Sequence, residues 1–128
     1  MGDRRDLGRQ DLGRQDLGRR GEDAAAEYLV ARGMELVVRN WRCRHGEIDI
    51  VALDGAVLVF CEVKTRRGTG FGVPLAAITR PKLARMRRLA VLWLEEHGGH
   101  RGPIRIDAMG MLRQADGRFE VEHIRGVS

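Results

Sequence analysis

Residues 46–68 read GEIDIVALDGAVLVFCEVKTRRG, and how this stretch is paired decides the fold. Two runs, 47–53 and 56–64, have the apolar content of β-strands. Between them lies Asp54-Gly55, a two-residue hairpin signal. A loop of those two residues would set Leu53 opposite Ala56, Asp49 opposite Phe60 and Glu47 opposite Glu62. Side chains alternate along a strand, so Glu47, Asp49, Val51 and Leu53 share a sheet face with Leu58, Phe60, Glu62 and Lys64. Asp49 and Glu62 become diagonal neighbours, with Cα atoms ~7–8 Å apart. Three acids and a lysine thus sit on a face whose other members are apolar and need cover.

That arrangement is unfavourable unless something neutralises it. Like charges facing each other on a sheet repel, and burial raises a carboxyl pKa. A divalent cation between Asp49 and Glu62 removes the conflict, with Lys64 beside it and Glu47 as a third acid. Two carboxylates with a cation and an adjacent amine suit phosphodiester hydrolysis. The cation polarises the phosphate and acidifies a bound water. A lysine ammonium can give up its proton, whereas a guanidinium does not. This chain has 21 arginines and only two lysines, Lys64 and Lys82.

Working outward, "RGEDAAAEYLVAR" predicts a helix over about 20–32, ending at Gly33, with Ala25, Ala26 and Leu29 as its apolar stripe. Glu22 precedes these by three, four and seven residues and shares their face. It sits in the first turn, where a carboxylate also suits the helix dipole. Residues 34–43 read as a strand. Residues 80–97 read as a helix with Pro81 in its first turn, and Leu83, Met86, Ala90, Trp93, Leu94 and His97 as its stripe. Trp93 and His97 are assigned to the core. Residues 104–112 and 118–124 complete the strands, on either side of Asp116-Gly117. The order is α-β-β-β-α-β-β: an α/β fold with a central sheet flanked by helices.

Residues 6–20 are three pentads, DLGRQ, DLGRQ and DLGRR. A five-residue period suits neither helix nor strand, and three glycines weaken a helix. Residues 1–19 are therefore expected to form a disordered tail before a single domain over 20–128. The net charge of +5 favours a polyanionic partner. Arg66 and Arg67, on an expected Gly-rich loop after the catalytic strand, and Lys82 at the start of the long helix are the candidate phosphate contacts. The other helix arginines spread around it, with Arg87 near the stripe and Arg85 and Arg88 pointing away. No apolar run reaches the ~20 residues of a membrane span. The start carries no signal-peptide pattern, and two cysteines make no disulfide framework, so a cytoplasmic protein is expected.

The ordered set "RGEDAAAEYL", "RNWRCRHGEIDIVA", "VFCEVKTR", "FGVPLAAI" with Lys82, and "IRIDA" resembles the PD-(D/E)xK nuclease superfamily. More closely, it is similar to the bacterial YraN family of predicted endonucleases, which are related in pattern to archaeal Holliday-junction resolvases. The resemblance spans about residues 21–125. It implies a restriction-endonuclease-like fold with a mixed sheet, and Mg²⁺- or Mn²⁺-dependent cleavage of DNA, including branched or junction DNA. It implies Asp49 and Glu62 as metal ligands, Lys64 as the catalytic lysine and Glu22 as the helix acid. The superfamily's Pro before the Asp is Ile48 here. Glu47 belongs to the GEID pattern of the YraN family, as an outer-sphere or second-metal ligand. Symmetric junction cleavage would require a homodimer. Two alternatives stand beside this reading: a non-catalytic nucleic-acid-binding module on the same fold, and a basic module docking an acidic protein.

Overall fold

The computed structural model describes residues 4–68 and 78–127. Two helices and five strands follow in the order α1 (Arg4–Ala31), β1 (Glu35–Cys43), β2 (Gly46–Asp54), β3 (Val57–Arg67), α2 (Arg80–Glu96), β4 (Ile104–Arg113) and β5 (Phe119–Ile124). The fold is α/β, with the element order expected from the sequence. One sheet runs β1-β2-β3-β4-β5. Its hairpin neighbours are antiparallel, and β3 and β4 are parallel because α2 carries the chain back between them. The sheet is therefore mixed.

Alternating side chains build a core on each face. Ile50, Ala52, Cys61, Val63, Met109 and Met111 meet Ala25, Ala26 and Leu29 of α1. Val51, Leu58 and Phe60 meet Leu89, Ala90 and Trp93 of α2. Phe60 and Trp93 pack edge to face, and Trp93 stacks on His97 at 4.0 Å. α2 starts at Thr79, whose hydroxyl accepts a hydrogen bond from the Lys82 amide, with Pro81 in the first turn. No helix among the described residues is long and apolar enough to cross a membrane.

The hairpin differs from its expected pairing by two residues. Leu53 faces Leu58 and Val51 faces Phe60, so the loop is Gly55-Ala56. Gly55 takes the positive φ (+61°) that a two-residue turn needs at its first position. Asp54 remains in the strand, its carboxylate held by the Arg105 guanidinium at 3.1 Å. A shift of two leaves Val51, Leu53, Leu58 and Phe60 on their expected face. It also breaks the proposed opposition of Glu47 to Glu62: across from Glu47 stands Arg42 of β1.

Two boundaries also move. α1 begins at Arg4 rather than near Arg20, so the helix continues through the pentads expected to be a disordered tail. Asp16 bonds Arg20 at 3.0 Å and lies 3.6 Å from Arg19, the i,i+4 and i,i+3 pairs that support a helix despite its glycines. β3 runs on to Arg67, pairing with β4 as far as Arg113, so Arg66 and Arg67 are strand residues and not loop residues. Residues 69–74 of the Gly-rich loop, and residues 71–77 of the FGVPLAAI stretch, lie outside the described residues.

Candidate active site

The site lies where β2 and β3 part. Their ladder ends at Ile50–Cys61. Just past that last pair, Asp49 and Glu62 line the same small cavity, without being a paired rung of the ladder. Beyond the ladder the Val63 amide still needs an acceptor. The Asp49 carboxylate supplies it, accepting that N–H at 2.7 Å. Asp49 is only 9% exposed. Its carboxylate thus replaces a rung of the sheet and holds the fork open.

β1 contributes to the same break. The β1–β2 ladder skips one pair, Asn40 and Asp49, between Arg39–Ile50 and Trp41–Ile48. Asn40 has φ +54°, the one described non-glycine residue in the left-handed region. Asparagine tolerates that region better than most residues do. The consequence is visible in the packing. Ile50 enters the α1-side core, while Ile48, two residues away, enters the α2-side core. Strict alternation would have placed them together. The chain therefore turns over at Asp49, and Asn40 is the conformational adjustment on the neighbouring strand.

α1 brings Glu22 to this point. Gly21 lies against β3, where any Cβ would collide with the Thr65 side chain, so glycine permits the close approach that carries Glu22 in. Burial raises the Glu22 pKa, the Asn40 side chain opposes that rise, and Glu47 adds to it. Beside Glu22, Asp23 bonds Arg39 at 2.7 Å, anchoring the helix to β1.

On the other side, Arg85, Met86 and Leu89 of α2 close a small cavity of about 30 Å³ over Asp49, Cys61 and Glu62. That is room for a water-sized group. Arg85 was expected to point away from the packed face. The buried face of α2 is Met86, Leu89, Ala90 and Trp93. Including Leu89 rotates the helix towards Arg85 relative to a stripe ending at Leu94 and His97. Lys82 precedes Arg85 by three residues and Met86 by four, on the same side of the helix.

Lys64 follows Glu62 on the same strand face, its ammonium 3.9 Å from the Glu62 carboxylate and about half exposed. Arg66 continues that face and Arg67 takes the opposite one. Glu47 is half exposed, and Arg42 holds its carboxylate at 3.1 Å.

The electrostatics follow from this crowding. Burial pushes the Asp49 pKa from 3.8 up to about 7; the Val63 hydrogen bond opposes this, and Glu22, Glu47 and Glu62 reinforce it. Burial also pushes the Cys61 thiol well up, with Asp107, Asp49 and Glu62 adding to it. Cys61 is therefore a packing residue and no nucleophile. Cys43 and Cys61 are both free thiols. Among the described residues, no three His, Cys, Asp or Glu side chains are gathered into a ready-made metal cage. Asp49 and Glu62, two carboxylates beside a cavity with room for one water-sized group, are a donor set of the kind that suits Mg²⁺, which keeps waters and takes few protein ligands.

Sequence comparison places this chain in a known group. Residues 21–121 match the family described as "Uncharacterised protein family UPF0102". A UPF0102 protein of Beutenbergia cavernae is 55% identical, covering 84% of this chain and 91% of its own length. One of Streptomyces griseus subsp. griseus is 57% identical over 84% and 92%. One of Clavibacter michiganensis subsp. michiganensis is 54% identical over 83% and 90%. Glu22, Asn40, Asp49, Glu62, Lys64 and Arg85 all fall within the matched span, and on the strength of that match the chain belongs to the UPF0102 family.

Proposed function

We propose that the protein is a Mg²⁺- or Mn²⁺-dependent endonuclease hydrolysing phosphodiester bonds in DNA, with branched or junction DNA among its substrates. The observation that carries this is the buried Asp49 carboxyl among the acids Glu22, Glu47 and Glu62, with Lys64 two residues past Glu62 and its ammonium 3.9 Å from the Glu62 carboxylate. Among the described residues no cation pairs with this carboxylate, and its charged neighbours are further acids. The resemblance to the YraN family and to PD-(D/E)xK nucleases supports the same reading.

Asp49 and Glu62 would hold the cation, with Glu22 and Glu47 adding negative charge around it. When bound, a divalent ion there supplies charge neutralisation at the phosphate and a water of lowered pKa. The remaining work falls to the chain's own groups. Lys64 orients the attacking water and stabilises the developing negative charge. Arg66, Lys82 and Arg85 hold the phosphates on either side of the fork, and Asn40 keeps Glu22 in place. Arg67, on the other sheet face, is a second contact with the same backbone.

Purified protein with Mn²⁺ should cut at least one member of a panel of linear, flapped and four-way-junction DNAs. Glu62→Gln and Lys64→Ala should each lower the rate by about 100-fold or more. Lys64→Arg should not restore it, because the broad planar guanidinium cannot reproduce the placement of the water by a compact ammonium. An uncut panel, or Lys64→Ala cutting at the wild-type rate, would overturn the proposal.

A further inference from the structure

Away from the fork, a cleft of about 400 Å³ opens between α1 and the β4–β5 connection. Arg20 of α1, Arg67 at the end of β3 and Arg113 at the end of β4 line it, with Asp16 as the one acid among its described lining residues. Asp16 is already engaged by Arg20 at 3.0 Å. Arg67 and Arg113 make no ion pair among the described residues. The Arg113 guanidinium lies over the Phe119 ring at 5.3 Å, which fixes it in place. Gly68 forms part of the rim, and its amide donates to the Arg113 carbonyl at 3.1 Å. Three segments distant in sequence thus bring guanidinium groups to one cleft, whose one described carboxylate is already in use. Like charges gathered this way are relieved by an anion, and a guanidinium fork matches phosphate oxygens two at a time.

We infer that this cleft is a second binding site for nucleic-acid phosphates, holding the backbone beyond the cleavage point. The inference rests on the nuclease reading for its substrate. Arg67 stands three residues past Lys64, ~10 Å along the strand. Lys64 and Arg66 point to the α2 side of the sheet and Arg67 to the α1 side. A backbone rounding the end of β3 therefore meets the fork on one face and the cleft on the other. Such contacts set register and orientation, and carry no base preference.

The test separates this site from the chemistry by measuring binding without metal. A fluorescein-labelled 20-base-pair duplex is titrated in EDTA at several KCl concentrations, with anisotropy as the readout. Arg67→Ala/Arg113→Ala should weaken binding about tenfold or more at moderate salt, and reduce the slope of log K against log[salt] by about 2. Arg67→Lys/Arg113→Lys should retain the slope. Arg67 is exposed, so Arg67→Glu serves if removing Arg113 from Phe119 disturbs the fold; it should lower the slope by at least about 1. An unchanged slope in these variants, or no duplex binding by the wild type, overturns the inference. So does stabilisation by inorganic phosphate that needs Arg67 and Arg113 while the duplex slope does not, since the cleft would then take free phosphate. Loss of cleavage with the Arg67- and Arg113-dependent slope intact would sink the nuclease reading and leave the cleft standing.

Discussion

Asp49→Asn is expected to stabilise the cation-free protein at pH 8, by roughly 4 kcal/mol. The Asp49 carboxyl is buried and its pKa is raised from 3.8 to about 7. Each pKa unit corresponds to about 1.4 kcal/mol. Because the folded value lies above the unfolded one, the folded state holds this proton more tightly. The group's contribution is full below about pH 4 and is lost as pH rises through about 7. At pH 8 the wild type folds with a charge that burial and three acids oppose. Asparagine removes that charge, and its amide oxygen still accepts the Val63 N–H. Urea unfolding in EDTA checks this: the gain should be large at pH 8 and nearly absent at pH 4. A loss of stability at pH 8 would mean that Asp49 is a structural carboxylate. A residue whose removal stabilises the fold is one retained for what it binds.

Asp107→Ala should do the reverse, costing about 3–5 kcal/mol. Asp107 is fully buried on β4. One oxygen accepts from Arg105 Nε at 2.8 Å and the Gly126 amide at 3.0 Å; the other accepts from Arg105 Nη2 at 3.1 Å and bonds His123 Nε2 at 2.8 Å. Arg105 also reaches Asp54 at the hairpin. Burial raises the Asp107 pKa, but hydrogen bonds from His123, Arg105 and Gly126 outweigh it and hold the carboxyl below its ordinary 3.8. Its contribution is therefore present above that ordinary value and is lost as pH falls through the lowered one. Removing the carboxylate leaves Arg105 and His123 short of their partner in the interior. Denaturant melts at pH 7 measure the effect, and a change under about 1 kcal/mol would contradict it. The two buried aspartates thus play opposite parts. Asp107 is surrounded by donors and ties β4, β5 and the hairpin together, whereas Asp49 is surrounded by acids.

Most of this was legible in the chain. Apolar periodicity gave all seven elements in order, with helix and strand limits close to those observed from α2 onward. The faces of Glu62 and Lys64 were readable because alternation along β3 survives a two-residue slip. The slip itself was not, because Asp54 stays in the strand through Arg105, a partner 51 residues away. The start of α1 lies earlier than glycine content suggests; in the last pentad Asp16 pairs with Arg19 and Arg20 along the helix. Arg66 and Arg67 read as a loop because β4, which pairs them into the sheet, lies far along the sequence. Asn40 left no signal. A left-handed residue inside a strand is set by the turnover at Asp49 and the approach of Glu22, and neither is local. Arg85 was within reach, since adding Leu89 to the apolar stripe turns it towards the fork.

Calorimetric titration with Mn²⁺ and Mg²⁺, in buffers of different ionisation enthalpy and with a duplex present, tests the fork most directly. Cation uptake should strengthen as pH rises through about 7, and below that pH it should release close to one proton, the one held by Asp49. Asp49→Asn and Glu62→Gln should abolish it. Absence of uptake by the wild type, or uptake that is independent of pH and unchanged in Asp49→Asn, would contradict a cation site between these two strands.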